Sequence, residues 1–121
     1  MKPILIVDDE FGIVEALRDL LADEGYRTVV ALNGREALER MAEERPAVVL
    51  LDYMMPVMDG PALLAAMQQD ADLRDIPVVM MSASHESRWR HLPCAAFLPK
   101  PFELEQLLAV LQRFVRGATE N

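Results

Sequence analysis

At four points of this sequence, residues with chemically active side chains follow short apolar segments. They are the adjacent acids Asp8 and Asp9, then Asp52, Ser82 and Lys100. Carboxylates a few ångströms apart repel one another, so such a cluster calls for a hard divalent cation, and Mg²⁺ fits best. A carboxylate can also attack phosphorus, in which case the hydroxyl and the ammonium group would hold the phosphoryl oxygens.

Each of these residues has an ordinary structural explanation when it is taken alone. Acids after a strand often start a helix, where they interact favourably with its dipole. A lone aspartate such as Asp52 is commonly a turn or cap residue, and Ser82 alone carries no information. Only their joint occurrence at the ends of separate strands favours a chemical site.

The elements that would position these residues alternate along the chain. Five short, apolar segments bounded by turn or charged residues are predicted to be strands: 4–7, 28–31, 48–51, 77–81 and 96–98. The stretches between them have helical spacing. This alternation predicts an α/β fold with a doubly wound parallel sheet and helices on both faces. Ligands of such sheets bind at the carboxyl ends of the strands.

Local signals bound the helices. The apolar stripe of the first includes Leu20, and Gly25 stands at its expected C-cap. Asn33 and Asp59 are predicted N-caps of the second and third. Pro46 prevents the second from continuing, and the last is predicted over 103–115.

One crossover is short. Seventeen residues separate Ser82 from Lys100, and Pro93 limits its helix to about 86–92, so the fourth helix is predicted to be short, with roughly two turns. Arg88, Trp89, Arg90 and His91 could form a partner patch or a solvated helix, and metal binding by His85 and His91 is not expected.

Composition narrows the class of protein. The 121 residues predict one domain over 1–121, and a net charge of −8 argues against direct nucleic-acid binding. The single cysteine, Cys94, fits a reducing compartment and is expected to fill apolar space. No apolar run is long enough for a membrane span, so we expect a cytoplasmic protein.

Four motifs carry a family resemblance over nearly the whole chain. In order, they are ILIVDDE, LLDYMMPVMDG, VVMMSA and FLPKPF. Their combination resembles the receiver domains of two-component response regulators. The resemblance implies a sheet of order 2-1-3-4-5. It also implies phosphorylation of Asp52, with Mg²⁺, by a histidine kinase or histidine phosphotransfer protein.

The same resemblance assigns roles to the residues around the acceptor. Asp8 and Asp9, with Asp52 and the carbonyl of Met54, would hold Mg²⁺, with Asp9 the more direct ligand of the pair. Ser82 would bind the phosphoryl group and move toward it.

Further roles follow from the resemblance. Lys100 would pair with the phosphoryl group, and its bond to Pro101 would be cis. Phe97 would change its rotamer with the switch between the two conformations, although an ordinary core phenylalanine is a serious alternative. Met54 and Ser84 occupy the positions that tune phosphoryl lifetime, and we expect a moderate to long lifetime.

Two other functions are compatible with the sequence. A receiver-like module could bind a partner without phosphorylation. A haloacid-dehalogenase-type phosphohydrolase also forms an aspartyl phosphate, but it requires a second Asp where this chain has Met54. The downstream partner is unknown, and a homodimer is possible.

Overall fold

The computed structural model of the protein describes residues 2–83 and 91–119, without the side chains of 116–119. Its strands are β1 Ile4–Val7, β2 Thr28–Ala31, β3 Val48–Asp52, β4 Val78–Ser82 and β5 Ala96–Pro99. All neighbours pair in parallel, in the order β2-β1-β3-β4-β5. The predicted fold class and strand order are therefore confirmed.

Four helices cover the two faces of this sheet in the described residues. They are α1 Phe11–Asp23, α2 Gly34–Glu43, α3 Gly60–Gln68 and α4 Leu104–Thr119. Successive strand residues point to opposite faces, so the continuous apolar runs of β1, β3 and β4 are buried on both sides. One face packs against α1 and α4 and the other against α2 and α3, which yields two apolar cores.

The predicted helix signals act as expected. Asn33 Oδ1 accepts a hydrogen bond from Glu36 N at 2.9 Å, and Asp59 Oδ1 accepts one from Ala62 N at the same distance. Gly25 follows α1 with a φ of 88°, a left-handed conformation that glycine adopts without strain. Leu20 differs from the prediction, because it lies at the edge of the apolar stripe and is partly exposed to solvent.

The chain between β4 and β5 is described only in part. Residues 84–90 lie outside the described residues, and with them most of the short helix predicted over 86–92. His91 and Leu92, the last two residues of that prediction, form a turn and a bend. Pro93 explains this, because the residue before a proline is disfavoured in the helical conformation.

No helix within residues 2–83 and 91–119 combines the length and apolar character needed to cross a bilayer.

Candidate functional site

The carboxyl edge of the sheet brings together the residues that the strand ends predicted. Asp52 is the last residue of β3 and Ser82 the last of β4, while Asp8 directly follows β1. Asp52 pairs in register with Met81, the residue before Ser82. Parallel strands in this register end together, so the side chains converge from segments far apart in sequence.

Lys100, just after β5, bridges two of the acids. Its Nζ donates to Asp8 Oδ2 and to Asp52 Oδ1, both at 3.1 Å. The Lys100 side chain is 18% exposed, and those of Asp8 and Asp52 are 0% and 11% exposed. One cation thus holds two largely buried carboxylates together, and water screens this network far less than a surface ion pair.

Asp8 and Asp9 differ in environment although they are adjacent. Asp8 is completely buried, and its Oδ1 accepts a hydrogen bond from Glu10 N at 3.0 Å, at the start of α1. Asp9 is exposed to solvent. Asp8 is therefore anchored on both of its oxygens by the protein, whereas Asp9 faces the solvent side of the cluster.

The charges at this edge are unbalanced. Burial raises the pKa of Asp52, the nearby charge of Asp8 raises it further, and the opposing effect of Lys100 does not restore the ordinary value. Burial would lower the pKa of Lys100, but the charges and hydrogen bonds of Asp8 and Asp52 outweigh it and leave that pKa raised. Asp8, Asp9 and Asp52 bring three carboxylates to this edge and Lys100 brings one cation, so negative charge is in excess, which favours binding of a further cation.

The geometry of the acids also suits a cation. Asp8, Asp9 and Asp52 each offer one carboxylate oxygen, and these oxygens all lie within 4.8 Å of one another. A cleft of about 190 Å³ adjoins them, lined by Glu10, Asp52, Met54, Ser82, Ala83 and Lys100. Oxygen ligands around a small, open cleft fit Mg²⁺, which keeps several waters and needs only one or two carboxylates.

The remaining predicted residues take varied positions. Met54 lines the cleft and is 69% exposed, while Ser82 is buried. Phe97 lies on β5, partly buried against the core on the α2 and α3 side. The Lys100–Pro101 peptide bond is cis. Ser84 and His85 lie outside the described residues, as do Arg88, Trp89 and Arg90.

The loop over 53–59, between β3 and α3, contains a feature that sequence patterns did not indicate. Val57 has a φ of 68° and is 77% exposed, although a β-branched residue is disfavoured in this left-handed conformation. Met58 N donates to Pro56 O at 2.7 Å across Val57. This is a γ-turn with a positive φ at its centre, the rarer and strained of the two forms.

We expect replacement of Val57 by Gly to raise the free energy of unfolding. The left-handed conformation costs a residue with a Cβ about 1–2 kcal/mol, and glycine adopts it freely. The greater freedom of glycine in the unfolded chain offsets part of this, so the net gain should be about 0.5–1 kcal/mol. Urea denaturation of both proteins measures the difference.

Leu32→Gly is the control for that prediction. Leu32 is also a partly exposed loop residue, but its φ is not positive, so glycine there should destabilise the protein. Equal losses of stability in the two variants would show that Val57 is not strained.

Comparison with known proteins adds the family relationship. The model of the response regulator receiver domain family matches residues 4–112. Response regulator MprA of Mycolicibacterium vanbaalenii is 40% identical over an alignment of 122 positions, and the alignment covers 98% of this chain and 52% of that protein. The chain thus spans about half the length of the curated relatives it matches.

Solved structures agree in fold. The receiver domain of a histidine kinase from Syntrophus aciditrophicus superposes with a TM-score of 0.91 at 31% identity, covering 100% of this chain and 95% of that one. The chemotaxis response regulator CheY4 of Vibrio cholerae has a TM-score of 0.85 at 31% identity, covering 94% of this chain and 98% of that one.

Proposed function

Because this chain belongs to the response regulator receiver domain family, we propose that it is a phosphorylation-dependent switch of a two-component phosphorelay. In this proposal Asp52 accepts a phosphoryl group from a histidine kinase or a histidine phosphotransfer protein, with Mg²⁺. The domain catalyses this transfer and its own dephosphorylation but turns over no metabolite.

One observation carries the proposal. Lys100 joins Asp8 and Asp52 at the carboxyl edge of the sheet, beside a cleft that Ser82 and Met54 also line. A carboxylate used only as a turn or cap residue would not need a largely buried cation and a second buried acid. The arrangement supports a role for Asp52 as phosphoacceptor, because Lys100 provides a positive charge beside it for an incoming anionic group.

The proposed transfer is a simple exchange at phosphorus. An oxygen of the Asp52 carboxylate attacks the phosphorus of a phosphohistidine, an O–P bond forms and the N–P bond breaks. The imidazole nitrogen of the donor leaves with the bonding electron pair and takes up a proton. Lys100 would then pair with the phosphoryl oxygens, and the Ser82 hydroxyl would donate a hydrogen bond to one of them.

The donor set of the site fits Mg²⁺. Asp8, Asp9 and Asp52 would hold it, with the backbone carbonyl of Met54 as a further oxygen ligand. When bound, the ion would neutralise charge on the phosphoryl oxygens. Burial, and after it the charge of Asp8, raise the pKa of Asp52, which supports this assignment because a bound cation would stabilise the ionised carboxylate.

Phosphorylation would act by shifting populations between two conformations. Ser82 and Phe97 are the proposed switch residues, with Ser82 moving toward the phosphoryl group. Met54 and Ser84 would tune the lifetime of the phosphoryl group. Neither side chain is an amide or a carboxylate that would position an attacking water, so the lifetime should be moderate to long.

Membership of the family indicates which classes of protein are the partners. Response regulators interact with histidine kinases and downstream effectors. For this chain the kinase or phosphotransfer protein would dock at the carboxyl edge of the sheet, from which Asp52 is accessible. This interaction would take place in the cytoplasm.

We expect the native protein to gain one phosphoryl group when it is incubated with a small phosphodonor and Mg²⁺. Intact mass spectrometry detects the adduct, and beryllofluoride with Mg²⁺ should shift the NMR resonances of residues around the cleft. Chelation of Mg²⁺ with EDTA should remove both effects, because the carboxylates would then repel the anionic donor.

The matching control is a generic phosphomonoester. A receiver should not turn it over, whereas a phosphohydrolase would release phosphate continuously. The proposal fails if the native protein forms no adduct under these conditions, or if Asp52→Asn still does.

A further inference from the structure

A single backbone contact ties the loop over 53–59 to α2. Gly34, the first residue of α2, donates its N–H to Met58 O at 3.1 Å. The first N–H groups of a helix have no partner within the helix. In α2 the Asn33 side chain satisfies that of Glu36, and Met58 satisfies that of Gly34. The loop therefore caps α2, and α2 anchors the loop.

This contact is close enough to require glycine. A Cβ at Gly34 would lie 2.7 Å from Met58 Cγ, 2.9 Å from Met58 Cβ and 2.9 Å from Met58 O. Carbon contacts of this length do not persist in proteins, and one of the three atoms is backbone. Any larger residue at position 34 must push Met58 away and disturb the hydrogen bond.

The loop is held in a strained form from both ends. Tyr53 N donates to Met81 O at 2.9 Å, and Gly60 N donates to Tyr53 O at 3.0 Å. The strained turn at Val57 directly precedes Met58, the residue that contacts Gly34. Strained conformations persist only where surrounding contacts over-determine them, and Gly34 provides one such contact.

We propose that Gly34 is a positioning residue for the phosphoacceptor site, because it holds Met58 and with it the loop that keeps Met54 beside Asp52. Met54 lines the acid cleft two residues after Asp52. This inference rests on the proposed function, in which the Met54 carbonyl is a ligand of Mg²⁺. It adds a residue from α2 that is neither one of the three acids nor part of the lining of the cleft.

Gly34→Ala tests the proposal, and Gly12→Ala is its control. Gly12 also lies in the first turn of a helix, but a Cβ added there meets nothing within 4 Å. Gly34→Ala should weaken Mg²⁺ affinity about tenfold, the usual scale for residues that support metal ligands, and Gly12→Ala should leave it unchanged. Calorimetric titration of Mg²⁺ into each protein measures this.

A further control separates positioning from general loss of stability. Val115→Ala removes buried volume from the core on the other face of the sheet. It should lower stability to urea without changing Mg²⁺ affinity. In NMR spectra recorded in EDTA, Gly34→Ala should shift the Met54 and Val57 amide resonances, and Val115→Ala should not.

The native protein offers a measurement that needs no variant, which decides the matter if Gly34→Ala does not fold. Coupling between two sites is reciprocal, so Mg²⁺ should slow hydrogen exchange at the Gly34 amide. The Gly25 amide, bonded to Ala22 O at the far end of α1, should be unaffected. Equal effects at the two amides would overturn the inference.

The outcomes also distinguish the two proposals. If the native protein neither binds Mg²⁺ nor forms an adduct, the proposed function fails. If it does both, and Gly34→Ala binds Mg²⁺ as tightly as Gly12→Ala, only the positioning role of Gly34 fails.

Discussion

Replacement of Asp52 by Asn is expected to abolish phosphorylation and to raise the free energy of unfolding in EDTA. The amide cannot act as the nucleophile, so no adduct should form with any phosphodonor. The stabilisation arises because burial and the charge of Asp8 disfavour the ionised Asp52 side chain. The amide oxygen can still accept from Lys100, and removing the charge should add on the order of 1 kcal/mol at neutral pH.

The pH dependence of this gain has a definite sign. The pKa of Asp52 is raised in the folded protein from an ordinary value of 3.8. Folding therefore favours the protonated carboxyl group, and stability is lost as pH rises through the folded pKa. In EDTA, Asp52→Asn should therefore be no more stable than the native protein at a pH below the ordinary pKa of 3.8. Its gain in stability should be complete at a pH above the raised pKa of the folded protein.

Urea denaturation at several pH values measures this difference, with Asp19→Asn as the control. Asp19 is an exposed carboxylate on α1, so its replacement should change stability little. Saturating Mg²⁺ should stabilise the native protein more than Asp52→Asn, because the variant lacks one of the proposed ligands. An Asp52→Asn variant less stable than the native protein in EDTA at neutral pH would contradict the electrostatic description.

Replacement of Lys100 by Met should have the opposite effect on stability. Lys100 is the cation between Asp8 and Asp52, and its removal leaves two buried carboxylates facing each other without compensation. Breaking a buried ion pair on one side costs about 3–5 kcal/mol, and because Lys100 is 18% exposed we expect a smaller loss of about 2–3 kcal/mol in EDTA at neutral pH. The rate of phosphorylation should also fall, since the phosphoryl oxygens lose their cation.

An exposed ion pair provides the matched control. Arg18→Met removes the cation that pairs with Glu15 on α1, where both side chains are largely exposed, and it should change stability by less than about 0.5 kcal/mol. Asp52→Asn alone should raise stability and Lys100→Met alone should lower it, and the double variant should be more stable than the sum of these two effects predicts. Strictly additive effects would mean that the two side chains do not interact.

Much of this site could be predicted because its residues stand at strand ends. A continuous apolar run such as 48–51 predicts a doubly buried parallel strand, and parallel strands deliver their terminal residues to one edge. That reasoning alone predicts Asp52, Ser82 and Lys100 at this edge. Asn33 and Asp59 were predictable for a similar reason, since a cap bonds to backbone within three residues of itself.

The tertiary structure decided what depends on contacts between distant segments. Asp8 and Asp9 are adjacent residues of the same type, yet only Asp8 is buried and bonded to Lys100, because the two side chains leave the chain in different directions. The approach of Gly34 to Met58 and the strained turn at Val57 depend on how α2 packs against the loop after β3. Sequence spacing determined which groups reach this edge, and packing determined which of them touch.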